Sequence, residues 1–504
     1  MLKSIKKSPL YRIANPRSIA LFGASSNILS MGTPILISLK AMGFKGTIYP
    51  VHPKEEGVQG FKAYRSVLEL PEAPDLAILI LPAHIVPQIL EECGKKGIKH
   101  AIVVSGGYKE LGGQGAQLEH ELQEIAHRHG MRFLGPNCIG VANPHHRLNT
   151  TLLQYLGNPG FIGMASQSGS FITQMFHYLA SLGLGFSTAF SVGNEANLDI
   201  VDCMEYLEAC SHTRVIALYI EGIRRGRAFV ETAKAIVPHK PIVAMYVGGS
   251  DAGRRAGLSH TGALAGPDPL YEAMFRQSGI IRARSITEVF DFCWVLGALP
   301  LPKGQKVVIQ THSGGPGAEA ADFCGRASLE LPALSSETIN KIAPFMPKTS
   351  SIQNPVDLTF TKNLLDYFSS IPSLLLEDKN ANMLLIYLLM PQQAVKRALE
   401  HLGIPKEQVA EKTSELLDAQ CQSIASMIET HKKPLVGYTY RSIQEDFIRG
   451  FIDRGVPVFP STERAVHALE ALVRYAELRA TFTSNAGQGF RVYNEGISTG
   501  NRER

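Results

Sequence analysis

The sequence predicts an α/β protein, doubly wound throughout, with an N-terminal Rossmann-like domain followed by two flavodoxin-like domains. Three observations predict it. Short, continuous apolar runs recur along the whole chain, as expected of parallel strands buried on both faces. Helical-period segments separate them, as in Leu118, Leu122, Ile125 and Ala126. And one strand–turn–helix element occurs twice, as FIGMA-SQSGS-FITQMFHYLA and KVVIQTH-SGGPG-AEAADFC, at equivalent places in the second and third units.

The length of 504 residues allows three to four domains at roughly 150 residues each. With 45% hydrophobic and 19% charged residues there is material for several cores, and extensive disorder is excluded. The net charge of +5 (Lys+Arg 50, Asp+Glu 45) does not form the concentrated basic stripe of a nucleic-acid binder. The longest apolar run, Met383 to Met390, is far shorter than the ~20 residues that span a bilayer. The N-terminal MLKSIKKSPLYRIANPRS has no apolar stretch behind its positive charge, so no secretory signal is expected. Seven cysteines at 93, 138, 203, 210, 293, 324 and 421 show no CxxC or Cys/His metal spacing. A reducing, cytoplasmic location is expected.

In the first unit (1–150) the strands are SIALFG (18–23), GTIYPV (46–51), DLAILIL (75–81), HAIVVS (100–105) and MRFLG (131–135). The second (151–302) carries FIGMA (161–165), FSTAFSV (186–192), VIALYI (215–220) and PIVAMYV (241–247). The third (303–480) carries KVVIQ (306–310), MLLIYLL (383–389), PLVGYTY (434–440) and VPVF (456–459), and closes with a helix whose apolar face is Ala465, Leu469, Leu472 and Ala476. Residues 481–504 are polar and aperiodic and read as a frayed, disordered tail.

Three Gly/Ser turns follow strands: Gly23-Ala24-Ser25-Ser26, Ser166-Gln167-Ser168-Gly169-Ser170 and Ser313-Gly314-Gly315-Pro316-Gly317. Such a turn aims main-chain N–H groups at one spot, where the helix dipole adds about half a positive charge, so phosphate or carboxylate is favoured there. Taken singly, each also reads as an ordinary tight βα connection. The first lacks the G-x-G-x-x-G pattern, and the second strand ends in Val51-His52-Pro53-Lys54 with no carboxylate for a ribose. That argues against a nicotinamide oxidoreductase and for another phosphorylated ligand, with Lys54 as a phosphate partner.

After PIVAMYV comes GGSDAGRRAGLSHTGALAG, a long small-residue loop with one histidine, His260. Long loops of this kind are usually functional. Most of the sixteen histidines must be surface or packing residues. An accessible imidazole between Ser259 and Thr261, however, is a competent nucleophile if a carboxylate orients it, and Glu221 at the end of VIALYIEG is placed to do so.

Six segments together, SHTGALAG (259–266), GPNCIG (135–140), SQSGS (166–170), SVGNEANLD (191–199), LYIEGIRRGRAF (218–229) and HSGGPG (312–317), resemble the ADP-forming acyl-CoA synthetases, the acetate–CoA ligase (ADP-forming) relatives of succinyl-CoA synthetase. NPRSIALFGAS (15–25), SIQNPVDL (351–358) and VPVFPSTERAVHAL (456–469) fit in the same order, so the resemblance covers about residues 10–476. It implies an N-terminal CoA-binding domain and a histidine that carries a phosphoryl group between acyl phosphate and nucleotide. His260 resembles that histidine and Glu221 the carboxylate that steadies it. Ser166, Gln167, Ser168 and Gly169, with Gly314, Gly315 and Gly317, look like the helix ends that hold phosphate at its two stations. Gly23, Ser25, Lys54, Pro82 and Asn137 match CoA-binding positions. The family's ATP-grasp module is not recognisable, so the chain resembles an α-type subunit whose ATP-grasp β-type partner would hold Mg²⁺ and ADP or ATP. Met245-Tyr246-Val247-Gly248-Gly249-Ser250 departs from the family's Lys-Ser-Gly-Arg type run, and the tail matches nothing recognised. The acyl pocket is expected near Ser191–Asn194 and the 166–170 turn. A non-catalytic acyl-CoA-binding regulatory or scaffold protein is the alternative reading.

Overall fold

The computed structural model describes residues 4–255, 266–359, 365–390 and 392–486. Sheet one contains β1 (Ser18–Phe22), β2 (Thr47–Val51), β3 (Leu76–Leu79), β4 (His100–Val103) and β5 (Arg132–Leu134), with helices α1 (Thr33–Ala41), α2 (Val86–Lys96) and α3 (Gly113–His129). Every residue of β1 and of β3 is buried. Side chains alternate between the two faces of a strand, so both faces must be covered, and the apolar runs of the sequence therefore carry no polar alternation. All the pairings are parallel and the strand order is 2-1-3-4-5. Its reversal point, where neighbouring connections leave to opposite sides, lies between β1 and β3.

Sheet two begins before the expected junction at residue 150. Strands β6 (Val141–Asn143) and β7 (Leu148–Asn149) form an antiparallel edge against β9 (Phe186–Ser191). The other members are β8 (Ile162–Ser166), β10 (Val215–Ile220), β11 (Ile242–Tyr246) and β12 (Ile281–Ala283), in the order β12-β11-β10-β8-β9-β6-β7. Its helices are α4 (Gly169–Ser181), α5 (Ile200–Ala209), α6 (Gly226–Ile236), α7 (Asp268–Ser278) and α8 (Ile286–Ala298). Without the edge pair, the five parallel strands again run 2-1-3-4-5.

Sheet three repeats that order with β13 (Val307–Thr311), β14 (Val356–Asp357), β15 (Met383–Tyr387), β16 (Leu435–Tyr438) and β17 (Val458–Phe459). Helices α9 (Gly314–Arg326), α10 (Lys406–His431), α11 (Asp446–Ile452) and α12 (Thr462–Ala486) belong to this part of the chain. The expected tail is corrected at its start: residues 481–486 continue α12, where Thr481 and Thr483 back-bond to the carbonyls of Glu477 and Arg479. Residues 487–504 lie outside the described residues.

Sheets two and three are braced together. Arg464 of α12 donates two hydrogen bonds to Asp291 of α8 (2.8 and 2.7 Å), and the Asp291 side chain is only 3% exposed. Trp294 of α8 meets Phe459 at 5.4 Å. Gln444 and Arg449 both donate to the carbonyl of Ser181, neutralising the C-terminal end of α4. Removing one partner of a buried pair leaves the other charge desolvated, so Arg464→Ala is expected to cost about 3–5 kcal/mol in urea unfolding. Arg464→Met with Asp291→Leu together should recover most of that loss; a double variant no more stable than Arg464→Ala would contradict the buried-pair account.

Candidate active site at the strand ends

The turn after β8 is closed by a hydroxyl: Ser166 Oγ donates to the Ser168 carbonyl (2.6 Å). Ser168 then enters α4 with extended backbone and no side-chain cap, so the first-turn amides of α4 receive no oxygen from it. A Cβ at Gly169 would lie 2.9 Å from Ile139 Cγ2 and 3.2 Å from Ser191 Oγ, and only glycine lets this helix start so close to its neighbours. Gln167 needs correcting as a phosphate ligand. Its Nε2 donates to Glu195 Oε2 (2.9 Å) and to the Gly222 carbonyl (2.6 Å), its Oε1 accepts from Glu221 N (2.5 Å) and Gly222 N (3.0 Å), and its main-chain N donates to the Tyr219 carbonyl. Nothing on this residue is left to donate to an anion.

The turn after β13 uses the same device. Thr311 Oγ1 donates to the Ser313 carbonyl (2.9 Å), and Ser313 enters α9 extended and without a side-chain cap. Gly315 has no heavy atom within 4 Å of its Cβ position, whereas Gly317 would meet Thr311 Cγ2 at 2.9 Å. At Gly314 the nearest atom is Asp357 Oδ2, 3.6 Å from the Cβ position, so a carboxylate borders this second turn.

His312, beside this turn, is stacked on Tyr367 (centroids 3.6 Å apart, 9° between planes), and burial pushes its imidazole down to about 4. Between the ordinary histidine range and that value the unfolded chain binds a proton that the folded chain refuses. Stability therefore rises with pH across the interval and is lost on acidification, by about 3 kcal/mol at most. Urea midpoints at pH 7.5 and 4.5 should converge in His312→Gln relative to the parent protein; equal acid sensitivity in both would refute this assignment.

Glu221 lies at the end of β10 and is 9% exposed. The roots of the histidine loop are anchored beside it. Tyr246 donates from its hydroxyl to the Gly266 carbonyl (2.6 Å), and its ring stacks on Tyr271 at 3.5 Å. Tyr271 in turn accepts from Ile223 N (3.2 Å), two residues past Glu221. His260 itself lies outside the described residues.

Residues 191–199 tie this region to sheet one. Asn194 Nδ2 donates to Glu110 Oε2 (2.6 Å) and Glu119 Oε2 (2.9 Å), and Asn194 Oδ1 accepts from Asn137 (3.3 Å). Arg225 pairs bidentately with Asp199, which caps α5. The motif SVGNEANLD was legible in the sequence, but the roles of Glu195 and Asn194 were not. No spacing rule marks which carboxylate in such a loop is buried.

The residues expected at the first cleft all fall at the C-terminal edge of sheet one: Gly23 and Ser25 after β1, Lys54 after β2, Pro82 after β3 and Asn137 after β5. The structure changes the detail of the first turn. Residues 24–32 form a closed excursion before α1, with Gly32 N donating to the Gly23 carbonyl. The Ser25 hydroxyl is spent inside it, on Ser30 Oγ (2.6 Å). The carboxylate of Glu55, which sequence reading missed, accepts from Ser26 N (2.8 Å) and Ser26 Oγ (2.7 Å) and is held below the usual carboxylate range by them. Lys54 and Pro82 are exposed at the rim. Ile28, Leu29 and Met31 are 66%, 84% and 60% exposed on the same excursion. At this rim Lys54 stands next to the carboxylates of Glu55 and Glu56 and beside the bare apolar side chains of Ile28, Leu29 and Met31. Among the described residues no group of three or more His, Cys, Asp or Glu could hold a metal ion, and no helix is long and apolar enough to cross a membrane.

Residues 17–144 match the family described as CoA binding domain, and residues 159–296 the succinyl-CoA ligase like flavodoxin domain. The chain is 42% identical over 387 residues to the acetate–CoA ligase [ADP-forming] II subunit alpha of Pyrococcus furiosus, covering 77% of this chain and 84% of that protein. The I subunit alpha of the same organism is 37% identical over 476 residues, covering 94% and 98%. Among solved structures, the Ca. Korarchaeum cryptofilum dinucleotide forming acetyl-coenzyme A synthetase 1, in complex with phosphate and ADP, superposes with a TM-score of 0.83 at 31% identity, covering 94% of this chain and 98% of that one. The chain spans about half the length (54% and 48%) of two further relatives whose names carry no subunit designation.

Proposed function

The chain belongs to the ADP-forming acetate–CoA ligase family, and on that premise we propose that it is the α-type subunit of an acyl-CoA synthetase interconverting acyl-CoA, ADP and phosphate with a carboxylic acid, ATP and CoA. Phosphate at the 166–170 turn attacks the thioester carbonyl, the C–S bond breaks, and the thiolate leaves with CoA on sheet one. The product is an acyl phosphate. A ring nitrogen of His260 then attacks the phosphorus in line, the P–O bond to the acyl group breaks, and the carboxylic acid departs as its carboxylate. Glu221 orients the imidazole and stabilises its cationic phosphorylated form. The histidine loop carries the phosphoryl group to a second station at 313–317, from which ADP takes it.

The two matched turns carry this reading. Ser166 and Thr311 each close a turn by donating to the carbonyl two residues on, and each turn opens an uncapped helix. A doubly negative group needs neutralising at both ends of its path, and helix N-termini do this without a resident cation. The carboxylate of Asp357 beside the second turn supports a need for a counter-cation at that station. There an ATP-grasp β-type partner would hold the nucleotide with Mg²⁺, which would supply charge neutralisation for transfer to ADP. Two relatives that this chain covers to 84% and 98% of their length are named subunit alpha, which supports a separate partner. We further propose that each sheet with its helices is one domain, with residues 141–149 belonging to the second, and that the protein works in the cytoplasm.

Two measurements follow. The chain with its partner should form ATP from acetyl-CoA, ADP and phosphate, and neither chain alone should; no ATP with intact CoA binding would overturn the reading. Lys54→Ala should weaken CoA binding about tenfold, since one charged hydrogen bond contributes about 1.5 kcal/mol, and calorimetry showing unchanged affinity would remove Lys54 from the site.

A further inference from the structure

Glu195 is a deeply buried carboxylate beside the candidate active site that the mechanism above leaves unused. It is 5% exposed and sits at a φ of +56°, a left-handed conformation that is costly for a side chain with a Cβ. Both of its carboxylate oxygens are engaged: Oε2 accepts from Gln167 Nε2 (2.9 Å) and Oε1 from Ile200 N (2.9 Å). Its carbonyl accepts from Arg224 Nη1 (2.5 Å), so the strand-end loop is tied to the same turn from the other side. Gln167 in turn holds the main chain of Glu221 and Gly222 through both atoms of its amide. An amide can satisfy these partners only in one of its two flipped orientations, and the carboxylate at Nε2 reinforces the one that the main chain of 221–222 requires.

We propose that Glu195 is a positioning residue for phosphoryl transfer: it fixes the Gln167 amide, and through it the main chain that presents Glu221 to the histidine. The proposal rests on the reading above. Burial and the nearby Asp199 push the Glu195 carboxyl up to about 8, while the hydrogen bonds from Gln167 and Ile200 act the other way. The adjacent Asn194 faces the opposite way, to Glu110 and Glu119 of sheet one. Neighbouring residues on one turn thus serve the CoA side and the phosphoryl side.

The test measures phosphohistidine formation from acetyl-CoA and labelled orthophosphate in the assembled enzyme, with CoA affinity read in parallel by calorimetry. Glu195→Ala and Gln167→Ala are each expected to slow labelling about 10- to 100-fold, the scale of an ångström-sized misplacement, with CoA affinity within about twofold. Because Glu195 acts through Gln167, the double variant should be no slower than Gln167→Ala alone. Glu195→Gln keeps the volume and one acceptor oxygen, which can serve Gln167 Nε2 while its NH2 faces Ile200 N, and should recover part of the rate. If Glu195→Ala does not fold, Glu195→Leu, which keeps the bulk but removes both acceptors, takes its place in the same cycle. Labelling at the parental rate, additive losses, or CoA affinity falling in step would overturn the proposal. A parental enzyme that takes no label would instead overturn the reading on which it rests.

Discussion

Replacing His260 with Asn should reduce ATP formation by at least about 10⁴-fold, because loss of a nucleophile leaves only what positioning and binding supply. Asparagine keeps comparable bulk and polarity but offers no basic ring nitrogen to attack phosphorus. The loss should fall on one half of the reaction only. Arsenate can replace phosphate in attacking the thioester, and acyl arsenates hydrolyse in water without further catalysis. Arsenate-dependent release of CoA from acetyl-CoA therefore needs the 166–170 turn and the sheet-one cleft but not the histidine. In His260→Asn it should stay within about threefold of the parent. Equal loss of both activities would place His260 in the earlier step, and retention of both would remove it from catalysis.

Gly23→Ala should be the most damaging single-methyl change in sheet one. Gly23 has a φ of +86°, and a Cβ there would lie 2.0 Å from the carbonyl oxygen of Ile80, a main-chain atom that cannot swing aside. Left-handed strain of about 1–2 kcal/mol adds to an overpacking cost of about 1–3 kcal/mol. To relieve the contact the end of β1 must move away from the end of β3, which opens the reversal point where the ligand is expected. Unfolding stability should fall by about 2–5 kcal/mol, and CoA affinity at least about tenfold. Gly112→Ala is the control. That glycine is also left-handed (φ +68°) but has nothing within 4 Å of its Cβ position, so it should lose only the strain and bind CoA normally. If both variants behave alike, the close approach to Ile80 is not what Gly23 is for.

The architecture was legible because its strands are buried on both faces. SIALF, VIALYI and MLLIY carry no polar alternation, and each is a central strand of a parallel sheet. The edge pair at 141–149 was not legible. It follows GPNCIG without an apolar run, and its pairing with β9 is a tertiary choice. The turns at Ser166 and Thr311 could be found from Ser and Gly after a strand. The hydroxyl-to-carbonyl closure they share could not, nor the spending of Gln167 on Glu195, Glu221 and Gly222, since a side-chain amide in a Ser/Gly turn looks the same from the sequence whether it faces a phosphate or the protein. Glu55 was passed over because Lys54 beside it suited a phosphate, although Glu55 is the one bonded to the first turn.

The central claim is that one imidazole carries the phosphoryl group. It is tested most directly by incubating the chain and its partner with γ-labelled ATP and locating the label by mass spectrometry of the intact phosphopeptide. The account predicts an acid-labile, base-stable phosphate on His260, absent from His260→Asn and discharged by adding a carboxylic acid with CoA. A label on another residue, or no label on this chain while it still binds CoA and supports ATP formation, would contradict it.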